Sequence, residues 1–360
     1  MIASLIEPFD GTIYDPCCGS GGMFVQSEKF VKEHQGIIND ISIYGQESNQ
    51  TTWRLCKMNL AIRGIDASQV KWNTEGSFLN DAHRDVKVDY VIANPPFNVD
   101  KVKSESAWAA GRLPFGLPGV NAKSKEIGNA NYLWISYFYA YLNDHGRAGF
   151  VMASSATDSA NKDRDIREKL VRTGDVDVMV SVGNNFFYTL SLPCSLWFFD
   201  KAKRAENRDK VLFIDARNYY TVVDRTLNEW TEWQLRNLQA IVHLYRGETE
   251  KYQALLNNYR QVLGDTTVAS AQAALDKQKA EAKEAIANAE RKDKKRIEAE
   301  MKAIEDALED TLETARQYEW LTEKFGEGEY KDVLGLCKIA AIQEIEEKRT
   351  IRSLRVLTWV

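Results

Sequence analysis

The order of apolar and polar positions divides the chain into two parts with different periods. Over residues 11–203, short runs rich in β-branched and aromatic residues alternate with longer amphipathic stretches, the habit of proteins built on a parallel sheet. Strands are expected at residues 12–16, 41–47, 70–74, 88–93, 148–154, 176–182 and 194–199, with one more at 213–217. Helices are expected between them at 21–33, 50–63, 132–143 and 162–172. The alternation predicts a doubly wound α/β domain, whose ligands bind at the carboxyl ends of its strands.

One connection breaks this rhythm. Residues 98–131 carry Gly111, Pro114, Gly116, Pro118, Gly119 and Gly128, with Lys101, Lys103, Arg112, Lys123 and Lys125 spread among them. So long a connection is either a solvated loop or a functional one.

Beyond residue 217 the period changes. Tyr219, Tyr220, Trp230 and Trp233 lead into helical sequence, and residues 265–325 contain neither Gly nor Pro and are dominated by Ala, Glu and Lys. There Ile297, Met301, Ile304, Leu308, Leu312 and Ala315 form an apolar seam that needs a partner helix, within the chain or outside it. The charged stretch 290–296 reads as a hinge or solvated turn, and a final helix is expected at 331–348. The expected organisation is a catalytic domain at 1–217, a helical connector at 218–264 and a helical, coiled-coil-like partner-binding region at 265–360.

Composition narrows the class. With 44% hydrophobic and 28% charged residues, the chain is neither disordered nor collagen-like. Residues 1–200 hold 19 basic against 23 acidic residues (net -4) and residues 201–360 hold 28 against 29 (net -1), so neither part is a basic nucleic-acid-binding module. All seven prolines fall at or before Pro193. Cys17, Cys18, Cys56, Cys194 and Cys337 have neither zinc-site nor disulfide-framework spacing, so a cytoplasmic protein with no metal ligands is expected. Residues 178–199 are uncharged, but Gly183, Asn184, Asn185, Thr189, Ser191 and Pro193 interrupt them; strand, loop and strand is expected there, with no membrane span and no signal peptide.

Three constellations carry candidate chemistry. The first is Asp15-Pro16-Cys17-Cys18-Gly19-Ser20-Gly21-Gly22, where the first strand gives way to a helix. Glycines there let a backbone approach a ligand, and the helix start offers free N–H groups. The run lacks both the dinucleotide fingerprint and the phosphate-loop lysine, and Asp15 suits the charged end of an amino-acid-like cofactor. An ordinary strand-to-helix turn is the plainer alternative. The second is Glu47, at the end of the second strand, where a carboxylate can accept both hydroxyls of a ribose; alone it would read as a solvated strand end. The third is Asn94-Pro95-Pro96-Phe97, after the strand at 88–93. An exocyclic base amine is a poor nucleophile because its lone pair is delocalised into the ring. Two acceptors aimed at its hydrogens, the Asn94 side-chain carbonyl and the Pro95 main-chain carbonyl, favour the tetrahedral amine that attacks a methyl group. Prolines fix φ and hold those acceptors in place. Phe97 can stack on a base that has left the duplex. As a bare tetrapeptide the run would be a rigid turn.

In this order the sequence resembles the modification subunit of type I restriction-modification systems. The resemblance rests on residues 15–22 and 94–97, and on three later runs: Gly128-Asn129-Ala130-Asn131-Tyr132-Leu133-Trp134, Gly146-Arg147-Ala148-Gly149-Phe150-Val151 and Leu192-Pro193-Cys194-Ser195-Leu196-Trp197-Phe198-Phe199. It covers about residues 8–217. The resemblance implies a Rossmann-like class I methyltransferase domain followed by a helical, coiled-coil region. It implies an S-adenosylmethionine-dependent DNA adenine-N6 methyltransferase acting on a flipped base, with a specificity subunit that reads the DNA and a restriction subunit that cuts it. By position, Asp15, Pro16, Gly19, Ser20, Gly21, Glu47, Ser77 and Phe78 would bind the cofactor, and Asn94, Pro95, Pro96 and Phe97 would hold the target adenine. The C-terminal helices would pack on the specificity subunit, and the basic loop at 98–131 is a candidate DNA contact. Phe186, Phe187 and Tyr188 suit either the opposite wall of the base pocket or the core.

Two departures qualify the resemblance. Members commonly place an Asp or Asn before the pair equivalent to Ser77-Phe78, to bond the cofactor's adenine amine; Gly76 stands here instead, which leaves Ser77 to supply a weaker bond. The sequence also opens at Met1-Ile2-Ala3-Ser4, inside the helix that in the family follows an earlier cofactor motif, so a truncated or split gene is expected. Two other functions stay open: an inactive fragment that only assembles, and a methyltransferase acting on cytosine N4, an RNA base or a protein glutamine.

Overall fold

The structure is a computed structural model that describes residues 1–34, 36, 40–187, 191–290 and 292–347. They form two compact units: residues 1–229 with the segment from Asp332 onward, and Trp230–Lys331.

Helix α1 (Ile2–Ile6) precedes strand β1 (Gly11–Asp15), and the alternation continues through α2 (Gly22–Glu33), β2 (Ile41–Glu47), α3 (Gln50–Ile62), β3 (Gln69–Trp72) and β4 (Val88–Ala93). The connection after β4 is built, not bare. It carries a ribbon of β5 (Val102–Lys103) and β6 (Glu126–Ile127), with helix α4 (Ser104–Ala110) between them. Helix α5 (Asn131–Tyr141) then leads to β7 (Leu142–Ala153), α6 (Asn161–Arg172), β8 (Val176–Val182), β9 (Cys194–Asp200) and β10 (Lys210–Asp215). A hairpin of β11 (Thr221–Asp224) and β12 (Leu227–Glu229) ends this stretch.

The second unit holds α7 (Glu232–Tyr245), α8 (Thr249–Leu263), α9 (Val268–Asn288) and α10 (Lys294–Phe325). Thr231 and Thr267 start α7 and α9 with capping boxes, each satisfying backbone N–H groups that a helix start leaves free. Of the charged stretch 290–296, Glu290, Lys292 and Asp293 fall between α9 and α10 and Lys294–Arg296 begin α10; the two helices run antiparallel, with Lys279 meeting Glu309 at 2.9 Å and Arg316 reaching Gln272 at 3.2 Å. Leu312 and half-buried Leu308 pack on Ala271 and Leu275. The apolar seam of α10 thus finds a partner in α9, although Ile304 remains 44% exposed.

After α10 the chain does not form the helix expected at 331–348. It rejoins the first unit as strand β13 (Cys337–Ala341), followed by α11 (Ile342–Glu347); Lys348 lies outside the described residues. The open edge of β10 decides this, since its unpaired N–H and C=O groups are met by β13 from Lys210↔Ala341 to Ile214↔Cys337, with Cys337 and Ala340 buried. The units therefore divide the chain differently from the expected boundaries at 217 and 264. The β11–β12 hairpin stays with the sheet, and α7 and α8 belong with the long helices.

Among the described residues the main sheet has the order β13-β10-β8-β9-β7-β4-β1-β2-β3. Pairing is parallel from β3 through β7 and between β8 and β10, and antiparallel at β7–β9, β9–β8 and β10–β13. All seven residues of β9 are buried, which accounts for its apolar run from Leu196 to Phe199. Asp89 fixes the register of the centre: its carboxylate accepts the Thr12 N–H and hydroxyl at 2.7 Å each and the Asn143 amide at 2.7 Å, joining β1, β4 and β7. Because the chain proceeds from β1 to β2 on one side and returns to β4 on the other, the order reverses at β1. A crevice therefore opens at the carboxyl ends of β1 and β4.

Candidate active site

The Asp15–Gly22 turn and the Asn94–Phe97 loop both reach this crevice because their strands are neighbours. Tyr14 pairs with Val91, so the turn after Asp15 and the loop after Ala93 emerge side by side. The Asp15 carboxylate accepts the Cys17 N–H at 3.0 Å and the Cys17 thiol at 3.4 Å. Burial pushes the carboxyl up to about 7, against the lowering effect of those bonds and with the Glu47 charge adding to the rise. Burial also raises the Cys17 thiol, which stays protonated and able to donate.

The glycine turn is shaped from below. At Gly21, φ is +81° and a Cβ would lie 2.9 Å from the Cys56 sulfur on α3, so only glycine fits comfortably. Gly19, at φ +54°, faces open space instead. Helix α2 begins at Gly22 with no side-chain cap, so no side chain satisfies the N–H groups of its first turn. Glu47 is held against the same turn: one carboxylate oxygen accepts the Gly19 N–H at 3.0 Å and the other the Asn49 N–H at 2.8 Å. Pro16 is buried and Ser20 is exposed, its carbonyl accepting the Asn59 amide at 2.8 Å.

Ser77 is committed to the scaffold. Its hydroxyl donates to the Pro16 carbonyl, and its own carbonyl accepts the Tyr137 hydroxyl at 2.6 Å. The hydroxyl hydrogen is therefore engaged, while the oxygen keeps the lone pair with which it could accept from a cofactor amine. Phe78 is half-buried and packs on Trp134 with ring centroids 4.1 Å apart. The buried indole N–H of Trp134 has no hydrogen-bond partner among the described residues.

At the end of β4, Asn94 is exposed and Pro95 buried, while Pro96 is exposed and Phe97 half-buried. Neither the Asn94 side chain nor the Pro95 carbonyl has a hydrogen-bond partner among the described residues. Phe97 meets Phe187 edge to face at 6.4 Å, and Phe186 meets Tyr220 in the same manner at 5.9 Å. The loop bearing Phe187 is held by the β11–β12 hairpin, whose Asn228 donates to the carbonyls of Asn185 at 2.7 Å and Asn184 at 3.0 Å. Tyr188 lies outside the described residues.

Two features have no counterpart in the residue-by-residue expectations. Asn98, Asn129 and Asn131 form a side-chain network that ties the loop after β4 to the start of α5. Arg112 is not a solvated loop cation: it donates to buried Asp81 at 2.8 Å and to the His83 carbonyl at 2.9 Å, with its guanidinium 3.5 Å over the Tyr141 ring. Tyr141 donates to the same carboxylate, 3.2 Å from the Tyr137 hydroxyl that holds Ser77. The asparagine run is visible as a motif. The Asp81–Arg112 pair carries no signal in the sequence, because a basic residue among glycines and prolines looks solvated.

A doubly wound sheet with a glycine turn, Glu47 and an Asn-Pro-Pro-Phe loop at the carboxyl ends of neighbouring strands has the fold of a Rossmann-like methyltransferase domain. The family described as N-6 DNA Methylase matches residues 1–257, and the chain belongs to it. The methylase subunit of the type I restriction enzyme HindI from Haemophilus influenzae is 36% identical over 247 residues, 68% of this chain and 54% of the relative. That of MjaIX from Methanocaldococcus jannaschii is 39% identical over 258 residues, 69% of this chain and 44% of the relative. The chain thus spans about half the length of these relatives. A type I restriction-modification methyltransferase subunit from Streptococcus thermophilus shares the fold with a TM-score of 0.62 at 17% identity, over 99% of this chain and 57% of that one. Among the described residues no helix is long and apolar enough to cross a membrane.

Proposed function

We propose that the chain is the methylation subunit of a type I restriction-modification system and transfers a methyl group from S-adenosylmethionine to the N6 amine of adenine in DNA. The observation that carries this reading is the pair of acceptors at the end of β4, the Asn94 side chain and the Pro95 carbonyl, neither of which has a hydrogen-bond partner among the described residues.

The residues at the turn fit the cofactor. Open space beside Gly19 leaves room for a ligand against the backbone, and the uncapped start of α2 supplies N–H groups for a carboxylate. Asp15 is buried at the strand tip, where a cationic group would stabilise its charged form. Glu47 accepts the Gly19 N–H on one oxygen and the Asn49 N–H with a longer bond from the Ser48 hydroxyl on the other, which leaves the first oxygen with a lone pair for a ribose hydroxyl. Phe78, half-buried against Trp134 and Tyr137, would stack on the adenine moiety. When bound, S-adenosylmethionine supplies an electrophilic methyl group.

The protein's part in the chemistry is positional and electrostatic. Asn94 and Pro95 accept the two hydrogens of the target amine, directing its lone pair out of the ring plane and stabilising the positive charge that develops on nitrogen. Phe97 stacks on the flipped base, and Phe187 bounds the other side. Direct in-line transfer of this kind needs no covalent intermediate.

DNA sequence recognition is assigned to a specificity subunit, bound through the C-terminal helices. Since α9 covers the seam of α10 at Leu308 and Leu312, the surface for that partner is the exposed part of the same seam at Ile304. A restriction subunit completes the cytoplasmic complex. The test is to reconstitute the chain with its specificity subunit, methylate DNA and analyse the digested nucleosides. N6-methyldeoxyadenosine is expected; N4-methyldeoxycytidine, or no modified nucleoside, would overturn the reading.

A further inference from the structure

A second cavity lies at the opposite end of the sheet from Asn94. It is bounded by Lys87, just before β4, by Lys201, just after the antiparallel strand β9, by Tyr139 in the last turn of α5, and by Trp108, Arg112 and Leu113 from the built loop. Its volume is about 520 Å³, within the range of small-molecule sites.

The lining is cationic and aromatic, with no carboxylate in it. Arg112 is paired with Asp81, whereas Lys87 and Lys201 rest on the main-chain carbonyls of Ala140 and Leu142 and form no ion pair among the described residues. Burial lowers both ammonium groups, with repulsion from Arg112 acting on Lys87 and repulsion from Lys87 acting on Lys201; Asp144 attracts both lysines and Asp175 attracts Lys201. A bound polyanion would relieve that repulsion. The Tyr139 ring is already covered by the Lys201 ammonium at 4.3 Å. The Trp108 indole is different: it stands 62% exposed at the rim with no ring contact among the described residues. A large aromatic face displayed beside two unpaired cations matches a base joined to phosphates, since stacking and charge are satisfied by one ligand.

We propose that this cavity binds a nucleoside polyphosphate, with its base against Trp108 and its phosphates between Lys87 and Lys201. The site is separate from the crevice at β1 and β4, and its occupancy does not depend on methyl transfer.

The test uses the full chain and ATP as probe, followed by calorimetry, beside inorganic tripolyphosphate and a short single-stranded oligodeoxynucleotide. ATP is expected to bind, with affinity reduced roughly tenfold or more by Lys87→Glu with Lys201→Glu, and separately by Trp108→Ala. Trp108→Ala alters an exposed side chain and so guards against misfolding of the double variant. S-adenosylmethionine binding should be the same in all three proteins; its absence in all would refute the cofactor crevice and leave the ATP result standing. ATP binding that survives both variants overturns the proposal. Tripolyphosphate binding as tightly as ATP removes the base from it, and oligonucleotide binding in place of ATP assigns the cavity to a DNA strand.

Discussion

Asn131 grips Asn98 from both sides: its side-chain oxygen accepts the Asn98 N–H at 2.9 Å, and its amide donates to the Asn98 side-chain oxygen at 3.0 Å. Asn129 donates to that same oxygen at 2.9 Å. Asn98 follows Phe97 directly and sits in the left-handed region at φ 56°, so the Asn131 side chain holds a strained turn at the end of the acceptor loop. Replacing it with alanine removes both bonds and frees that turn. Asn131→Ala should slow methyl transfer about 10- to 100-fold while cofactor affinity changes little, because a loosened acceptor is felt mainly in the transition state. Single-turnover rates beside calorimetry check this; an equal loss of cofactor binding would place Asn131 elsewhere.

Asp15 links the site to pH. Its carboxyl is pushed up to about 7 by burial from an ordinary value of 3.8, so between those values the folded chain holds a proton that the unfolded chain has released. Its contribution to stability is therefore full below about pH 4 and is lost as pH rises through 7. Asp15→Asn should remove that decline and stabilise the free protein at pH 8 by about 2–4 kcal/mol, while weakening cofactor binding. Denaturant unfolding at pH 5 and pH 8 measures the difference. A parallel pH dependence in both proteins would show that Asp15 is ionised without cost.

The buried pair of Arg112 and Asp81 makes a contrasting claim for the basic loop. Arg112→Ala leaves the Asp81 charge buried without its partner and should cost about 3–5 kcal/mol of stability, with little change in the salt dependence of DNA binding. Lys101, Lys103, Lys123 and Lys125 are exposed, and removing them should flatten that dependence, the slope falling by about 0.9 for every phosphate no longer neutralised. A flattened slope in Arg112→Ala alone would contradict the structural role.

In the second unit, Leu312→Ala should cost about 2–4 kcal/mol, since the cavity falls at the closest packing of α9 on α10. Ile304→Ala should leave stability nearly unchanged and weaken capture of the specificity subunit if the exposed part of the α10 seam is the partner surface. Denaturation and pull-down with that subunit separate the two effects.

The legible parts of the fold share a physical property. Strands β2, β4 and β8 have the bounds expected of them, because they lie inside the sheet and each side-chain pattern answers to local burial. Strand β13 is not legible, since Ala340, Ala341 and the acidic residues after them favour helix, and only the distant edge of β10 makes extended pairing better. The seam of α10 is visible, but its partner is not: a helical period reports that a face must be covered and leaves open by what. In the site, Gly19, Gly21 and Asn94 are identifiable because backbone approach and amide chemistry demand those residue types. The commitment of Ser77 to Pro16, and of Arg112 to Asp81, depends on loops that meet only after folding.

The central claim is that the Asn94 side chain accepts a hydrogen of the target amine. It is tested most directly by single-turnover methyl transfer to DNA by Asn94→Ala, assembled with its specificity subunit, with cofactor and DNA binding measured in parallel. The predicted result is a rate lower by about 10²- to 10³-fold, equal to about 2.7–4 kcal/mol, with both binding constants nearly unchanged. A near-normal rate would contradict the assignment.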